Sequence, residues 1–186
     1  FRCELELEDF LKQGKVMGLE GIDTRALTKV LRNKGTMRGI ITLEDLDDET
    51  VKEKIANFSN KDAVKNVTTK EVYTIYGSGK HVAVMDFGIK TNIIRNFKKR
   101  NCKLTIFPAT ATAEEVLNVN PDLVFLSNGP GDPQDLDFAI ENIKKIIGKK
   151  PITGICLGHQ LLALALGGKT TKLKFGHRGC NHPVKD

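Results

Sequence analysis

The chain has 186 residues, 40% hydrophobic and 28% charged, the balance of a globular protein with enough length for one large domain or two small ones. No uncharged apolar run approaches the roughly 18 residues that a membrane span needs, and the opening Phe1-Arg2-Cys3-Glu4-Leu5-Glu6 lacks the basic-then-apolar order of a secretory signal, so neither a membrane-spanning nor a secreted class is expected. The net charge of +6 accumulates beyond residue 80, where Lys98-Lys99-Arg100 and Lys144-Lys145 fall at the ends of expected helices; cations there meet the helix dipole, and without interleaved aromatics or any Trp the excess does not point to nucleic acid.

In chain order, residues 1–76 read as a small mixed α/β domain. Asp23 or Thr24 can cap a helix over 25–33, whose Leu27, Val30 and Leu31 form an apolar stripe and which Gly35 ends. Residues 37–42 read as a short strand, 48–58 as a second helix with an acidic first turn, 59–70 as a polar connection and 72–76 as another strand. Gly77-Ser78-Gly79-Lys80 is the expected linker.

From residue 81 the pattern becomes regular. Strands are expected over 81–86, 103–107, 122–127 and 151–155, alternating with helices over 92–100, from a Thr112-x-x-Glu115 capping box, over 138–148 and over 157–166. This β-α alternation predicts an α/β fold, a parallel sheet with flanking helices, because parallel neighbours need crossover connections. The loops Asp86-Phe87-Gly88, Ser127 to Pro133 and Gly154 to Gly158 would then open on one sheet edge, where the strands' carboxyl ends lie and a site is expected. Phe1 in place of Met and a tail, Asn181 to Asp186, with no closing element suggest a piece of a longer chain.

The four cysteines, Cys3, Cys102, Cys156 and Cys180, show neither paired nor metal-ligand spacing, so reduced thiols in the cytoplasm are the expectation. Cys156 differs in context. Between Gly154 and Gly158, at a strand-to-helix junction, it has the form of a nucleophile elbow, in which a strained turn raises the side chain above the sheet edge. A helix N-terminus favours the thiolate there, whereas the competing reading is a buried structural thiol. Backbone N–H groups of Asn128-Gly129-Pro130-Gly131 and of Leu157 could receive a developing oxyanion, although the first segment also reads as an ordinary turn. A cysteine nucleophile needs a base. His81 opens a strand, His159 shares the nucleophile's helix in a poor line of approach, and His177 and His182 follow the last helix, so none stands out. Gln160 shares the helical face of Cys156 and could line a substrate pocket.

Gly154-Ile155-Cys156-Leu157-Gly158-His159-Gln160 resembles the nucleophile motif of class I glutamine amidotransferases, in which a cysteine attacks the amide of glutamine. Ser127 to Pro133, Asp86 to Lys90, the tail 175–186 and Ile22 to Thr28 further resemble the small-subunit family of carbamoyl-phosphate synthases, a likeness that runs through essentially the whole chain. The resemblance implies Cys156 as nucleophile, Gly129 and Leu157 as oxyanion donors, Gly131 and Gln160 as glutamine contacts, and residues 81–186 as an amidotransferase domain incomplete at its C-terminus. His159 is then a motif position and not the base. In that family the base and its carboxylate lie in a His-Pro-Glu motif; here His182-Pro183 is followed by Val184 and matches a different segment, so His182 is rejected.

By the same resemblance the complete protein hydrolyses L-glutamine through a thioester and passes ammonia to a large subunit, which uses bicarbonate and ATP with Mg to make carbamoyl phosphate for arginine and pyrimidine synthesis. No cofactor or metal is expected in the small subunit, nor a nucleic-acid or membrane partner, and residues 1–186 alone are expected to be inactive. Three alternatives stay open: an amidotransferase serving another synthase, a non-catalytic interaction module that keeps the fold, and a hydrolase of the α/β type.

Overall fold

The computed structural model describes residues 5–176, which pack as two units, 5–58 with 172–176, and 59–171. The first unit carries three helices, α1 (Leu7–Gln13), α2 (Thr24–Lys34) and α3 (Asp48–Asn57). Asp23 caps α2 by accepting from the Ala26 N–H at 2.9 Å, and Gly35, at φ 90°, ends it in a conformation that L side chains resist. The guanidinium of Arg38 donates to the Ile55 and Ala56 carbonyls in the last turn of α3, where a cation meets both orphan acceptors and the dipole. Two expectations change in this unit. Residues 37–42 form no strand, because a strand needs a ladder partner and none of the described residues supplies one. The stripe of Leu27, Val30 and Leu31 lies exposed on α2.

The second unit is built on a five-stranded sheet in the order β1-β3-β2-β4-β5, with β1 (Tyr73–Ile75), β2 (His81–Asp86), β3 (Lys103–Pro108), β4 (Leu123–Leu126) and β5 (Ile152–Gly154). β2 to β5 run parallel, as the alternation implies, whereas β1 is an antiparallel edge strand on β3. Strand β1 therefore joins this sheet and not the first unit. The glycines of the expected linker are packed too: the Gly79 N–H donates to Asn101 O at 2.7 Å, and a Cβ on Gly77 would lie 2.5 Å from that same oxygen. The packing boundary lies at Phe58/Ser59, ahead of the linker expected at 77–80. Within the polar stretch 59–70 the chain forms a short helix, α4 (Ala63–Val67), pinned by Val64, which is 2% exposed.

Alternation along the buried strands divides the core between the two sheet faces. Ala83, Met85, Val124 and Leu126 pack against α6 (Ala113–Asn118), α7 (Asp137–Ile146) and α8 (Leu157–Ala165) through Val116, Ala139, Ile143, Ile146, Leu157 and Leu161. Val82, Val84, Leu104, Ile106 and Phe125 face α5 (Thr91–Lys99), where Phe97 meets Phe125 edge to face with ring centroids 5.1 Å apart. An apolar groove of about 300 Å³ between Phe97, Phe125 and Ile155 opens on this face.

The capping box of α6 forms as its spacing requires. The Thr112 hydroxyl accepts from the Glu115 N–H at 3.2 Å, and the Glu115 carboxylate accepts from the Thr112 N–H at 2.7 Å and from its hydroxyl at 2.8 Å. These bonds favour the ionised form and hold the Glu115 carboxyl below the ordinary glutamate range. A folded pKa below the unfolded one means that the box stabilises the helix fully above the unfolded value and loses that contribution as pH falls through the folded one. An NMR titration should give Glu115 a midpoint below that of a free glutamate, and Thr112→Val, which removes the hydroxyl, should raise it. An unshifted midpoint in the parent protein would contradict the box.

Candidate active site

The strand order places the switch in winding direction at β2, whose neighbours β3 and β4 lie on opposite sides; ligands of such sheets bind beyond the carboxyl ends at that point. The register aligns the ends: Met85 pairs with Leu126, and Leu126 with Gly154. The three loops singled out in the sequence therefore start side by side.

Cys156 stands at the turn from β5 into α8 as the helix N-cap, exposed, at φ 54° and ψ −110°. A positive φ is costly for a residue with a Cβ and persists only where the surroundings impose it. The flanking glycines show what imposes it. A Cβ on Gly154 would lie 2.5 Å from the Gly158 carbonyl carbon, and one on Gly158 would lie 2.6 Å from the Leu126 carbonyl carbon. The first turn of α8 thus crosses directly over β4 and β5, and hydrogen bonds fasten it there: the Ile155 N–H donates to Leu126 O at 3.1 Å and the Gly158 N–H to Ser127 O at 3.0 Å. The exposed thiol does not fit the buried structural reading.

Leu157 is the first residue of α8, 1% exposed through its side chain, and its backbone N–H has no acceptor among the described residues. The Gly129 N–H likewise has none. Gly129 is packed so that a Cβ would collide with the Phe87 carbonyl oxygen and lie 2.7 Å from Leu157 Cδ2, which brings the loops after β2 and β4 against the first residue of α8. Gly131 adopts φ 88° in an exposed turn beside Asn60 and Ala63. Gln160 lies half-buried on α8, one turn beyond Cys156, and its N–H donates to Cys156 O at 3.0 Å.

Two histidines fall among the described residues. His81 opens β2 at the amino edge of the sheet, opposite the loops, where its Nε2 meets Thr105 Oγ1 at 2.8 Å; burial, and after it the charge of Lys103, pushes its pKa down. His159 is exposed on α8. His177, Cys180 and His182 lie outside the described residues.

The side chains that hold the loops together were not singled out in the sequence. Asp86, 5% exposed, accepts from the Gly88 and Ile89 N–H groups at 2.8 Å each and from the Thr69 N–H at 2.9 Å. Ser127, fully buried, accepts from the Phe87 N–H at 2.9 Å and donates to Asn128 O at 2.7 Å. The Asn128 side chain accepts from the Lys90 N–H at 3.1 Å and donates to Gly88 O at 2.9 Å. The sequence signal is a short polar residue at the end of each of two apolar strands; the Phe87 partner of Ser127 and the Gly88 partner of Asn128 lie 40 positions away in the chain and are not legible there.

A sequence profile described as glutamine amidotransferase class-I matches residues 83–186. The chain belongs to the class I glutamine amidotransferase family. A second profile, described as the carbamoyl-phosphate synthase small chain, CPSase domain, matches residues 1–41. Over its full length this amidotransferase chain is 70% identical to the carbamoyl phosphate synthase small chain of Clostridium perfringens, of which the match covers 53%. It is 53% identical to that of Clostridium acetobutylicum and 52% identical to that of Bacillus cereus, covering 53% and 51% of them. The chain thus spans about half the length of the curated relatives it matches. Among solved structures, a putative GMP synthase protein from Thermoplasma acidophilum aligns at 26% identity and a TM-score of 0.41, over 47% of this chain and 45% of that one. Among the described residues no helix is long and apolar enough to cross a membrane.

Proposed function

We propose that this chain is the nucleophile-bearing part of the glutaminase subunit of a carbamoyl-phosphate synthase. The observation that carries the reading is the exposed Cys156 at φ 54°, held at the N-terminus of α8 with the unpartnered N–H of Leu157 beside it. The relatives named carbamoyl phosphate synthase small chain, matched along the whole of this chain, supply the choice among synthases.

On this reading the Cys156 sulfur attacks the side-chain amide carbon of L-glutamine. The C–S bond forms as the carbonyl oxygen takes up negative charge, which the N–H groups of Gly129 and Leu157 receive. Collapse breaks the C–N bond, ammonia leaves once its nitrogen is protonated, and water cleaves the glutamyl thioester to glutamate. Gly131 and Gln160 contact the substrate. The histidine that moves the protons and the glutamate that orients it belong to another part of the full-length protein. Ammonia passes to a large partner subunit, which holds ATP and Mg and makes carbamoyl phosphate in the cytoplasm. Residues 83–186 serve in the amidotransferase domain and 1–41 in the small chain's own domain, the stretches that the two profiles match.

The test is labelling of the full-length protein with an electrophilic glutamine analogue such as a chloroketone. The expected adduct is on Cys156, and excess L-glutamine slows its formation. Equal labelling of Cys102 and Cys156, unaffected by glutamine, would overturn the reading.

A further inference from the structure

We propose that Ser127 is a positioning residue for the oxyanion donor at Gly129. This rests on the proposed glutaminase reading of the site and deepens it.

The Asn128 carbonyl and the Gly129 N–H are the two ends of one peptide group, and a planar trans peptide points them in opposite directions. Whatever fixes the carbonyl therefore aims the N–H. The Ser127 hydroxyl donates to that carbonyl at 2.7 Å. Its own orientation is set in turn, because the same oxygen accepts from the Phe87 N–H at 2.9 Å and its side chain is fully buried, away from competing water. No acceptor among the described residues holds the Gly129 N–H, so the hydrogen bond that orients this peptide group is the one on its carbonyl side. The Asn128 side chain, bonded to Gly88 O and to the Lys90 N–H, keeps the loop in place but does not touch that peptide group. A donor aimed before the substrate arrives needs no reorganisation as charge develops, which gives such groups their catalytic weight.

Ser127→Ala removes the clamp, and Ser127→Cys replaces it with a sulfur that donates weakly at nearly the same volume. The measurement is glutamine hydrolysis by the full-length complex, with the rate of Cys156 alkylation by chloroacetamide and the thermal midpoint followed alongside. In Ser127→Ala kcat should fall about 10- to 100-fold, less than the 10²–10³-fold cost of deleting an oxyanion donor outright. KM should stay within about twofold and the alkylation rate should match the parent, since the thiol itself is undisturbed. Ser127→Cys should lose about five- to twentyfold in kcat, and it decides the matter if the alanine variant does not fold. A kcat within about twofold of the parent in the folded variants, or alkylation that falls in step with kcat, would overturn the proposal. A parent protein whose Cys156→Ser variant still hydrolyses glutamine would instead remove the underlying reading of the site.

Discussion

Replacing Cys156 with Ser in the full-length synthase complex should abolish carbamoyl phosphate synthesis from glutamine and leave synthesis from ammonia intact. The hydroxyl keeps the shape of the elbow at φ 54° but is a far weaker nucleophile than a thiol near neutral pH. Loss of a nucleophile that acts together with its base removes nearly all of the covalent path, so the glutamine-dependent rate should fall by at least about a thousandfold. On the proposed reading, ammonia supplied from solution bypasses this site and needs only the partner. Retained glutamine-dependent synthesis would show that Cys156 is not the nucleophile. Loss of both activities would show that the substitution disrupts the assembly, so the two assays have to be run together.

Gly158→Ala should have the next largest effect. The new methyl would sit 2.6 Å from both the carbonyl carbon and the Cβ of Leu126, in the middle of a packed sheet, and would collide with the Leu126 carbonyl oxygen. Those atoms are fixed by the pairing of Leu126 with Met85 and Gly154, so the relief has to come from α8, whose first turn would lift from β4. Overpacking of this kind costs about 3 kcal/mol, the upper end of its usual range, since backbone cannot step aside as a side chain can. The same movement carries Cys156 and the Leu157 N–H with it, and a shift of about 1 Å at a reacting group lowers turnover by about a hundredfold. Urea unfolding and glutamine hydrolysis by the full-length protein check the two effects. An unchanged unfolding midpoint would mean that α8 does not cross the sheet as closely as described.

The parts of this structure that were legible in the sequence are those encoded locally. The four β-α repeats follow from apolar runs and helical spacing, and the Thr112–Glu115 box from residues three apart. The elbow at Cys156 follows from two glycines that leave no side chain between crossing backbones. Chain-distant pairing was not legible. Tyr73 to Ile75 have strand composition in either unit, and only their pairing with Leu104 to Ile106 assigns them to the sheet. Residues 37–42 have the same composition and find no partner among the described residues. Helix α4 is too short to announce itself and exists because Val64 finds a place in the core. The bonds of Ser127 and Asn128 to Phe87, Gly88 and Lys90 were hidden for the same reason, since each reads as an ordinary turn-former until the loop after β2 is laid against the loop after β4. The base also could not be read from geometry: His81 lies at the wrong edge of the sheet, and His159 faces solvent.

The most direct test of the central claim is mass spectrometry of the full-length protein mixed with L-glutamine and quenched in acid during turnover. The expected result is one added glutamyl group on the peptide that contains Cys156, labile to hydroxylamine as a thioester is and absent from Cys156→Ser. Turnover of glutamine with no acyl group on that peptide, or with the group on another residue, would contradict the account.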